Sequence, residues 1–383
     1  MAQSPNMLKD GEVSLIVIRA LIRLGGSGTN EKILEQVKLI LSSQQKEQEQ
    51  QIKTQFNWVK KYLEKSGLIK NTGWDKWSLS SSYQNSNEYL IPTKIYEEWS
   101  LTTKANAMNQ FLQDTSITPD ALDRYEKTIN RKKQIILAGS PGTGKTFIAQ
   151  KFAKYLTSAQ DGYVDLVQFH PSYTYEDFMR GLKPEIKDGS LTYNYAEGRF
   201  IQFCEKAQTE YQGLPCVFII DEINRANISQ VFGELMYLLE YRNENLTLSS
   251  GKTFTIPDNV LIIGTMNTAD RSIALIDHAL RRRFAFIKIT PNYQSLWNKF
   301  QDSDFPIGKL ITVIKDLNQK ICEAMGSNDY ELGTSFFMTD NLSEEIEDIW
   351  QMEVEPYLEE YFFDNQSKDI IESFRWINVQ KQL

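Results

Sequence analysis

The sequence predicts an α/β fold, a parallel sheet with an α-helical lid, preceded by a winged helix-turn-helix module. Three observations predict it. From Gln134 onward, short apolar strands alternate with helical stretches, the pattern of a parallel sheet flanked by helices. Beyond Pro291 the strands give way to helices alone. Before residue 80 the pattern is three helices and a hairpin. At 383 residues the chain suits two or three domains, and 41% hydrophobic with 24% charged residues is ordinary for a globular protein. The expected divisions are 1–80 for the module, 81–117 for a linker and helix, 118–290 for the α/β core, and 291–383 for the lid and C-terminal helices.

Between Glu12 and Leu24, the residues Val13, Leu15, Ile16, Ile18, Leu21 and Ile22 share a broad helical stripe, closed by Gly25-Gly26. Thr29 or Asn30 can cap a second helix reaching about Leu41. A third carries Phe56, Trp58, Val59, Tyr62 and Leu63 to an end at Ser66-Gly67. Leu68-Ile69-Lys70, a turn at Asn71-Thr72-Gly73 and the alternating stretch Trp74 to Leu79 then read as a hairpin. Ser66-Gly67-Leu68-Ile69 with Trp77-Ser78-Leu79 resembles the N-terminal winged-helix module of Mrr-type restriction proteins. A DNA-binding module of this kind would lay its third helix in a major groove, with the wing near the backbone. Lys53, Lys60, Lys61 and Lys65 would then neutralise phosphates. The other reading is a winged helix that grips protein, because Glu47, Glu49 and Glu64 dilute the basic face.

Residues 81–93 are polar and turn-rich, the composition of a linker, and a helical segment follows through about Thr115. Thr118-Pro119-Asp120 starts another helix, with proline at the first position, where its missing N–H costs nothing. The strands expected in the core are Gln134–Ala138, Val164–Phe169, Val217–Asp221, Val260–Met266 and Phe284–Ile289. The helices Leu310–Met325 and Ser343–Tyr361 belong to the lid.

Gly139-Ser140-Pro141-Gly142-Thr143-Gly144-Lys145-Thr146 follows an apolar strand and opens a helix, the context of a nucleotide-phosphate loop. Its glycines let backbone N–H groups converge on a phosphate, and the helix start adds its positive dipole end. Lys145 would bridge the β- and γ-phosphates, and the Thr146 hydroxyl would ligate Mg²⁺. Val217-Phe218-Ile219-Ile220 drives Asp221 to the carboxyl edge of the sheet, where ligands sit in open α/β folds, so Asp221 would hold the magnesium's water shell. Glu222 is placed to polarise the attacking water.

Asn267, in Gly264-Thr265-Met266-Asn267-Thr268-Ala269-Asp270-Arg271-Ser272, is a neutral amide expected beside the γ-phosphate. With Asp270 it also mimics the guanine reader of small GTPases, but this strand end should face the γ-phosphate rather than the base. Arg281-Arg282-Arg283 precedes the last strand. One reading has them complement a helix dipole. The other has Arg282 and Arg283 reach a neighbouring subunit's γ-phosphate as fingers, which makes a ring the active unit.

With these strings in place, the chain resembles the McrB family of AAA+ P-loop NTPases over about residues 130–375. The resemblance rests on Gln168 to Phe178, on Asp221-Glu222-Ile223-Asn224-Arg225-Ala226-Asn227, on Met266 to Ser272, and on Ala279-Leu280-Arg281-Arg282-Arg283-Phe284. Leu332-Gly333-Thr334-Ser335-Phe336-Phe337 resembles the family's lid string, with Thr334 where a histidine is usual. The resemblance implies a hexameric ring, a separate McrC-like nuclease subunit, GTP as substrate with ATP as the alternative, and Asn224 in the group around the attacking water. Residues 1–80 depart from the family's base-flipping N-terminal domain, so recognition of modified cytosine is not implied. The competing class is a protein-remodelling ATPase of dynein-related or MoxR type, whose N-terminal module binds protein.

Other chemistries have less support. Glu185-Ile186-Lys187 has the spacing of a metal-dependent nuclease, but beside Pro184 and Asp188-Gly189 it reads as a turn, so cleavage is expected from another chain. Cys204, Cys216 and Cys322 are scattered and odd in number, which fits a reducing cytoplasm rather than a disulfide framework. His170 and His278 without a Cys-x-x-Cys do not make a zinc site. The longest apolar runs are strand-length, short of the roughly 20 residues of a membrane span. The first residues show no charged start followed by an apolar block, so no signal peptide is expected. A net charge of −8 does not by itself advertise a nucleic-acid binder, and acid concentrates between Asp340 and Asp364.

Overall fold

The computed structural model describes residues 10–40, 56, 59–61, 63–65, 67–73, 75–80, 104–158, 162–187, 190–270, 278–363 and 368–383. The expected linker at 81–93, Lys53, Trp58, Tyr62, Trp74, Arg271 and Ser272 lie outside the described residues.

The first unit contains helix α1 (Asp10–Arg23), strand β1 (Ser27–Thr29), helix α2 (Asn30–Ile40) and strands β2 (Ile69–Gly73) and β3 (Lys76–Leu79). The strands form an antiparallel sheet in the order β1-β3-β2. Its core gathers Ile16, Ile18 and Leu21 of α1 with Ile33, Val37, Phe56, Val59, Leu63 and Trp77. The Thr29 hydroxyl accepts the Lys32 N–H at 3.4 Å, one of the two caps expected for α2. Ile22, expected on the buried stripe, is 49% exposed, because the apolar residues of this 14-residue helix cover more of its circumference than one sheet and one helix can bury. The turn expected at Asn71-Thr72-Gly73 falls inside β2, where a bulge between Asn71 and Gly73 lets the strand continue and Asn71 Oδ1 accepts the Gly73 N–H at 3.0 Å.

Lys60 also departs from expectation. It is only 4% exposed, lies with its ammonium 4.5 Å from the Phe56 ring and 5.0 Å from the Trp77 ring, and donates to Asn30 Oδ1. A lysine satisfied inside a core does not reach a phosphate. Lys61, Lys65, Lys70 and Lys76 are exposed.

Residues 104–115 are helical, and helix α3 (Pro119–Lys132) begins with Pro119 at its first position and Thr118 as cap. The α/β core follows as β4 (Gln134–Gly139), α4 (Lys145–Thr157), β5 (Tyr163–Gln168), the hairpin β6 (Arg180–Lys187) and β7 (Ser190–Glu197), α5 (Arg199–Thr209) and β8 (Cys216–Asp221). A two-stranded ribbon, β9 (Leu246–Thr247) and β10 (Thr253–Phe254), precedes β11 (Val260–Asn267) and β12 (Ala285–Lys288). Five strands form a parallel sheet in the order β12-β4-β11-β8-β5. Alternate residues face opposite layers: Ile135, Leu137, Val217, Ile219 and Ile263 pack with Phe111 and Phe152 on one side. Ile136, Phe218, Ile220 and Ile262 pack with Phe178, Phe200 and Phe232 on the other. Burial on both faces is why these strands read as continuous apolar runs. The sheet brings the ends of β4, β8 and β11 together at one edge.

The hairpin corrects the turn expected at Glu185-Ile186-Lys187, which lies on β6. Its Leu182–Tyr195, Pro184–Tyr193 and Ile186–Leu191 pairs share one face. Proline is tolerated because a two-stranded ribbon has an outer edge that needs no N–H. Among the described residues, no three His, Cys, Asp or Glu side chains form a metal-holding group, and no helix is long and apolar enough to cross a membrane.

The lid consists of α6 (Tyr293–Phe300), α7 (Ile307–Met325), α8 (Leu342–Ile349) and α9 (Glu355–Tyr361), with shorter helices after them. One helix was expected over Ser343–Tyr361; a π turn at Trp350–Val354 joins α8 to α9, and Trp350 is fully buried there, donating its indole N–H to Phe374 O at 2.7 Å. Buried Asn318 on α7 pairs with both the N–H and the carbonyl of Leu332, at 2.6 and 3.0 Å, which fixes the segment leading onto the phosphate loop.

Candidate nucleotide-hydrolysis site

The loop from Gly139 to Gly144 joins β4 to α4, so its N–H groups and the α4 N-terminus sit at the sheet's carboxyl edge. Two of its glycines are required by geometry. A Cβ on Gly139 would lie 2.1 Å from Ile289 O. Gly142 has φ +75°, and a Cβ there would lie 2.8 Å from Phe336 of the lid. The lid rests on this loop: Ser335 N–H donates to Gly142 O at 2.9 Å, and a Cβ on Gly333 would overlap Gly142.

Lys145 is buried and donates to Ser140 O at 2.8 Å. Burial lowers its pKa to about 8, against the opposing pull of Glu222, Asp270 and Asp221. Thr146 Oγ1 donates to Asp221 Oδ1 at 2.6 Å, and Thr265 Oγ1 donates to the same oxygen at 2.6 Å. Thr265 in turn accepts the Glu222 N–H at 3.1 Å. Glu222 takes a left-handed backbone conformation, φ +53°, uncommon for a residue with a side chain. That turn directs its carboxylate to Asn267, whose Nδ2 donates to Glu222 Oε1 at 2.8 Å. Asn224 closes the group by donating to Asn267 O at 3.2 Å. Burial raises the Glu222 pKa, and Arg225, 3.5 Å from Oε2, opposes the shift.

Ser140 Oγ, Glu222 Oε2, Asn224 Oδ1 and Asp270 Oδ2 are buried without a hydrogen-bond partner among the described residues. Such atoms also occur elsewhere among the described residues, but these four lie in the loop and the strand-end segments around Asp221 and Asn267, where a polar ligand held by the loop would meet them. The donor set suits magnesium: Thr146 and Asp221 supply hard oxygens side by side, and Mg²⁺ keeps most of its remaining positions for water and phosphate.

Next to the loop, a cavity of about 360 Å³ is lined by Gly144, Asp114, Thr115, Asn292, Ser295 and Met338. Apart from Gly144, sequence reasoning missed this lining, because the other five residues come from three separate segments with no shared motif. It also missed Thr265, whose signal was a hydroxyl inside an otherwise apolar strand.

Arg282 and Arg283 lie apart from this group and both pair with Glu240, Arg283 Nη2 lying 3.4 Å from Oε2. Arg281 instead sits over the Phe286 ring, 5.8 Å from its centre.

A phosphate loop opening a helix, an acidic pair ending the neighbouring strand and a lid packed on the loop define an AAA+ P-loop chain, a nucleotide-hydrolysing class. Residues 134–284 match the AAA domain, dynein-related subfamily, and residues 309–369 match the McrB alpha-helical lid domain. The chain therefore carries a McrB-like AAA+ domain with its McrB lid. It is similar to the type IV methyl-directed restriction enzyme EcoKMcrB subunit of Escherichia coli strain K12, 40% identical over 280 residues, covering 67% of this chain and 60% of that protein. It is also similar to the type II restriction enzyme BsuMI component YdiS of Bacillus subtilis strain 168, 29% identical over 192 residues, covering 39% of this chain and 55% of that protein. The chain thus spans 60% and 55% of the length of these two relatives.

Proposed function

We propose that this chain is the nucleotide-hydrolysing motor subunit of a restriction system, working as a ring, hexameric by resemblance, with a separate McrC-like nuclease subunit. The observation that carries the hydrolytic reading is the chain of contacts from Asp221 through Thr265 to Glu222, Asn267 and Asn224 beside Lys145. The two restriction-enzyme relatives and the McrB lid support the restriction role over protein remodelling.

In this reading the loop N–H groups and Lys145 hold the β- and γ-phosphates, while Thr146 and Asp221 would hold Mg²⁺ with its water shell. Bound magnesium would offset phosphate charge. Glu222 accepts a proton from the attacking water, Asn267 fixes that carboxylate's direction, and Asn224 holds Asn267 through its carbonyl. The base enters the cavity beside Gly144. The substrate is GTP by resemblance, with ATP as the alternative.

The test measures GTP and ATP turnover by the wild type and Lys145→Ala, with and without the product of the adjacent gene. Lys145→Ala is expected to lose at least about 100-fold, the loss seen when one donor to transition-state charge is removed. If neither nucleotide is hydrolysed under any condition, the enzymatic reading is wrong.

We also infer that residues 1–80 form a winged-helix module that binds DNA through exposed lysines. Lys61→Ala is expected to lower the salt dependence of duplex binding by about one phosphate contact, whereas Lys60→Met leaves it unchanged, since Lys60 is buried. Salt-insensitive binding, or none, would favour a protein partner for this module.

A further inference from the structure

We propose that Glu240 is a positioning residue that holds Arg282 and Arg283 for use by the neighbouring subunit's site, with Arg282 as the reaching arginine and Arg283 as its anchor. The inference rests on the ring reading above and assigns a role to a residue with no motif around it.

Each oxygen of the Glu240 carboxylate serves a different guanidinium. Oε1 accepts from Arg282 Nη2, and Oε2 lies 3.4 Å from Arg283 Nη2. The frame behind them is tied down as well. Gln134, 1% exposed at the start of β4, donates its Nε2 to both Leu239 O and Arg283 O, each at 2.9 Å. One amide thus joins the residue before Glu240 to the end of the short helix His278–Arg283. Arg242 Nη2 fixes that amide by donating to Gln134 Oε1 at 2.9 Å, and Lys132 Nζ holds Arg282 O at 2.7 Å.

Exposure divides the pair. The Arg282 side chain is 71% exposed, whereas Arg283 is 19% exposed and Glu240 24%. An ion pair as exposed as that of Arg282 contributes little to stability, so stability does not account for the contact between Arg282 and Glu240. A guanidinium has five N–H donors, so Arg282 can give one Nη2 bond to Glu240 and still present the others outward. Two neighbouring guanidiniums would otherwise repel and splay. The carboxylate between them cancels part of that repulsion and lowers the entropy lost when Arg282 meets a phosphate.

Glu240→Ala is expected to lower kcat of assembled rings by about 10- to 100-fold, the scale of an ångström-level misplacement. The nucleotide KM should stay within about twofold, since no phosphate-binding group of the same chain is touched. Glu240→Asp, which keeps the charge on a shorter arm, should recover part of the loss. Glu240→Gln, which keeps the shape without the charge, covers the case that alanine unfolds the chain.

Mixed rings separate positioning from general damage. Glu222→Gln chains carry intact arginines but turn over only slowly themselves. Glu240→Ala chains keep their own hydrolytic group but misplace their arginines. Mixing the two should give turnover above the sum of the separate preparations, and Arg282→Ala mixed with Glu222→Gln should do the same. A gain for the Arg282 mixture with none for the Glu240 mixture overturns the role of Glu240 and spares the ring reading. No gain for either overturns both, and so does wild-type turnover by both Glu240→Ala and Arg282→Ala.

Discussion

Glu222→Gln is expected to bind nucleotide and assemble like the wild type while turning over about 10²- to 10⁴-fold more slowly, the contribution of a positioned general base. The substitution removes the negative charge and keeps the shape. Asn267 Nδ2 can still donate to the retained amide oxygen, in place of the 2.8 Å bond to Glu222 Oε1. What is lost is the capacity of Oε2, a buried atom without a hydrogen-bond partner among the described residues, to take a proton. Burial raises the Glu222 pKa, so the working carboxylate should disappear at a higher pH than an ordinary glutamate would. The acid limb of kcat/KM is thereby moved upward. The basic limb is expected from Lys145, whose pKa burial lowers to about 8, so that the ammonium should lose its proton at a lower pH than an ordinary lysine in the free protein. Bound phosphate favours the ammonium, so the basic limb should move up in kcat relative to kcat/KM. Single-turnover hydrolysis and nucleotide affinity, measured together across pH, check this. A variant that loses affinity as much as turnover, or that keeps the wild-type acid limb, removes Glu222 from the role of base.

The chemistry around Glu222 was legible because most of it is local. The phosphate loop is one uninterrupted string between an apolar strand and a helix, and Asp221 and Asn267 each end or follow a run that only a doubly buried strand explains. The five core strands were placed within a residue or two for the same reason. Thr265 was harder, since its hydroxyl matters only once β11 lies against β8. The hairpin Arg180–Lys187 and Ser190–Glu197 was missed because Pro184 and Gly189 looked like turn chemistry. Its apolar residues Leu182, Ile186, Leu191, Tyr193 and Tyr195 are all more than half exposed, so they do not follow the inward pattern from which strands are read. Lys60 shows the opposite failure. It counts as basic surface in the sequence, yet the structure spends its charge between two rings and Asn30. Glu240 had no local signal, because its meaning comes from arginines in a distant segment that the fold brings to it.

Arg282→Ala is expected to have an effect as large, about 10³-fold or more on turnover in assembled rings, the scale of an arginine finger. The two guanidiniums should not be equivalent. Arg282 is 71% exposed and touches none of the groups that line the hydrolytic site of its own chain; its guanidinium pairs with Glu240. Its loss should therefore leave folding, nucleotide affinity and ring size intact and appear only in the chemical step. Arg283 is 19% exposed and its backbone carbonyl is held by Gln134. Arg283→Ala removes packed methylenes and an ion pair from that frame, so a lowered Tm should accompany its loss of activity. Arg282→Lys should restore little, because a compact ammonium on a flexible stem cannot share one N–H with Glu240 and offer a planar fork to a phosphate at once. The measurement is turnover against ring assembly for all three variants, at concentrations where the wild type is fully assembled. Arg282→Ala rings of normal size and wild-type rate would place the reaching group elsewhere, whereas a loss confined to rings, and relieved by neighbours with intact arginines, locates catalysis at the boundary between two subunits.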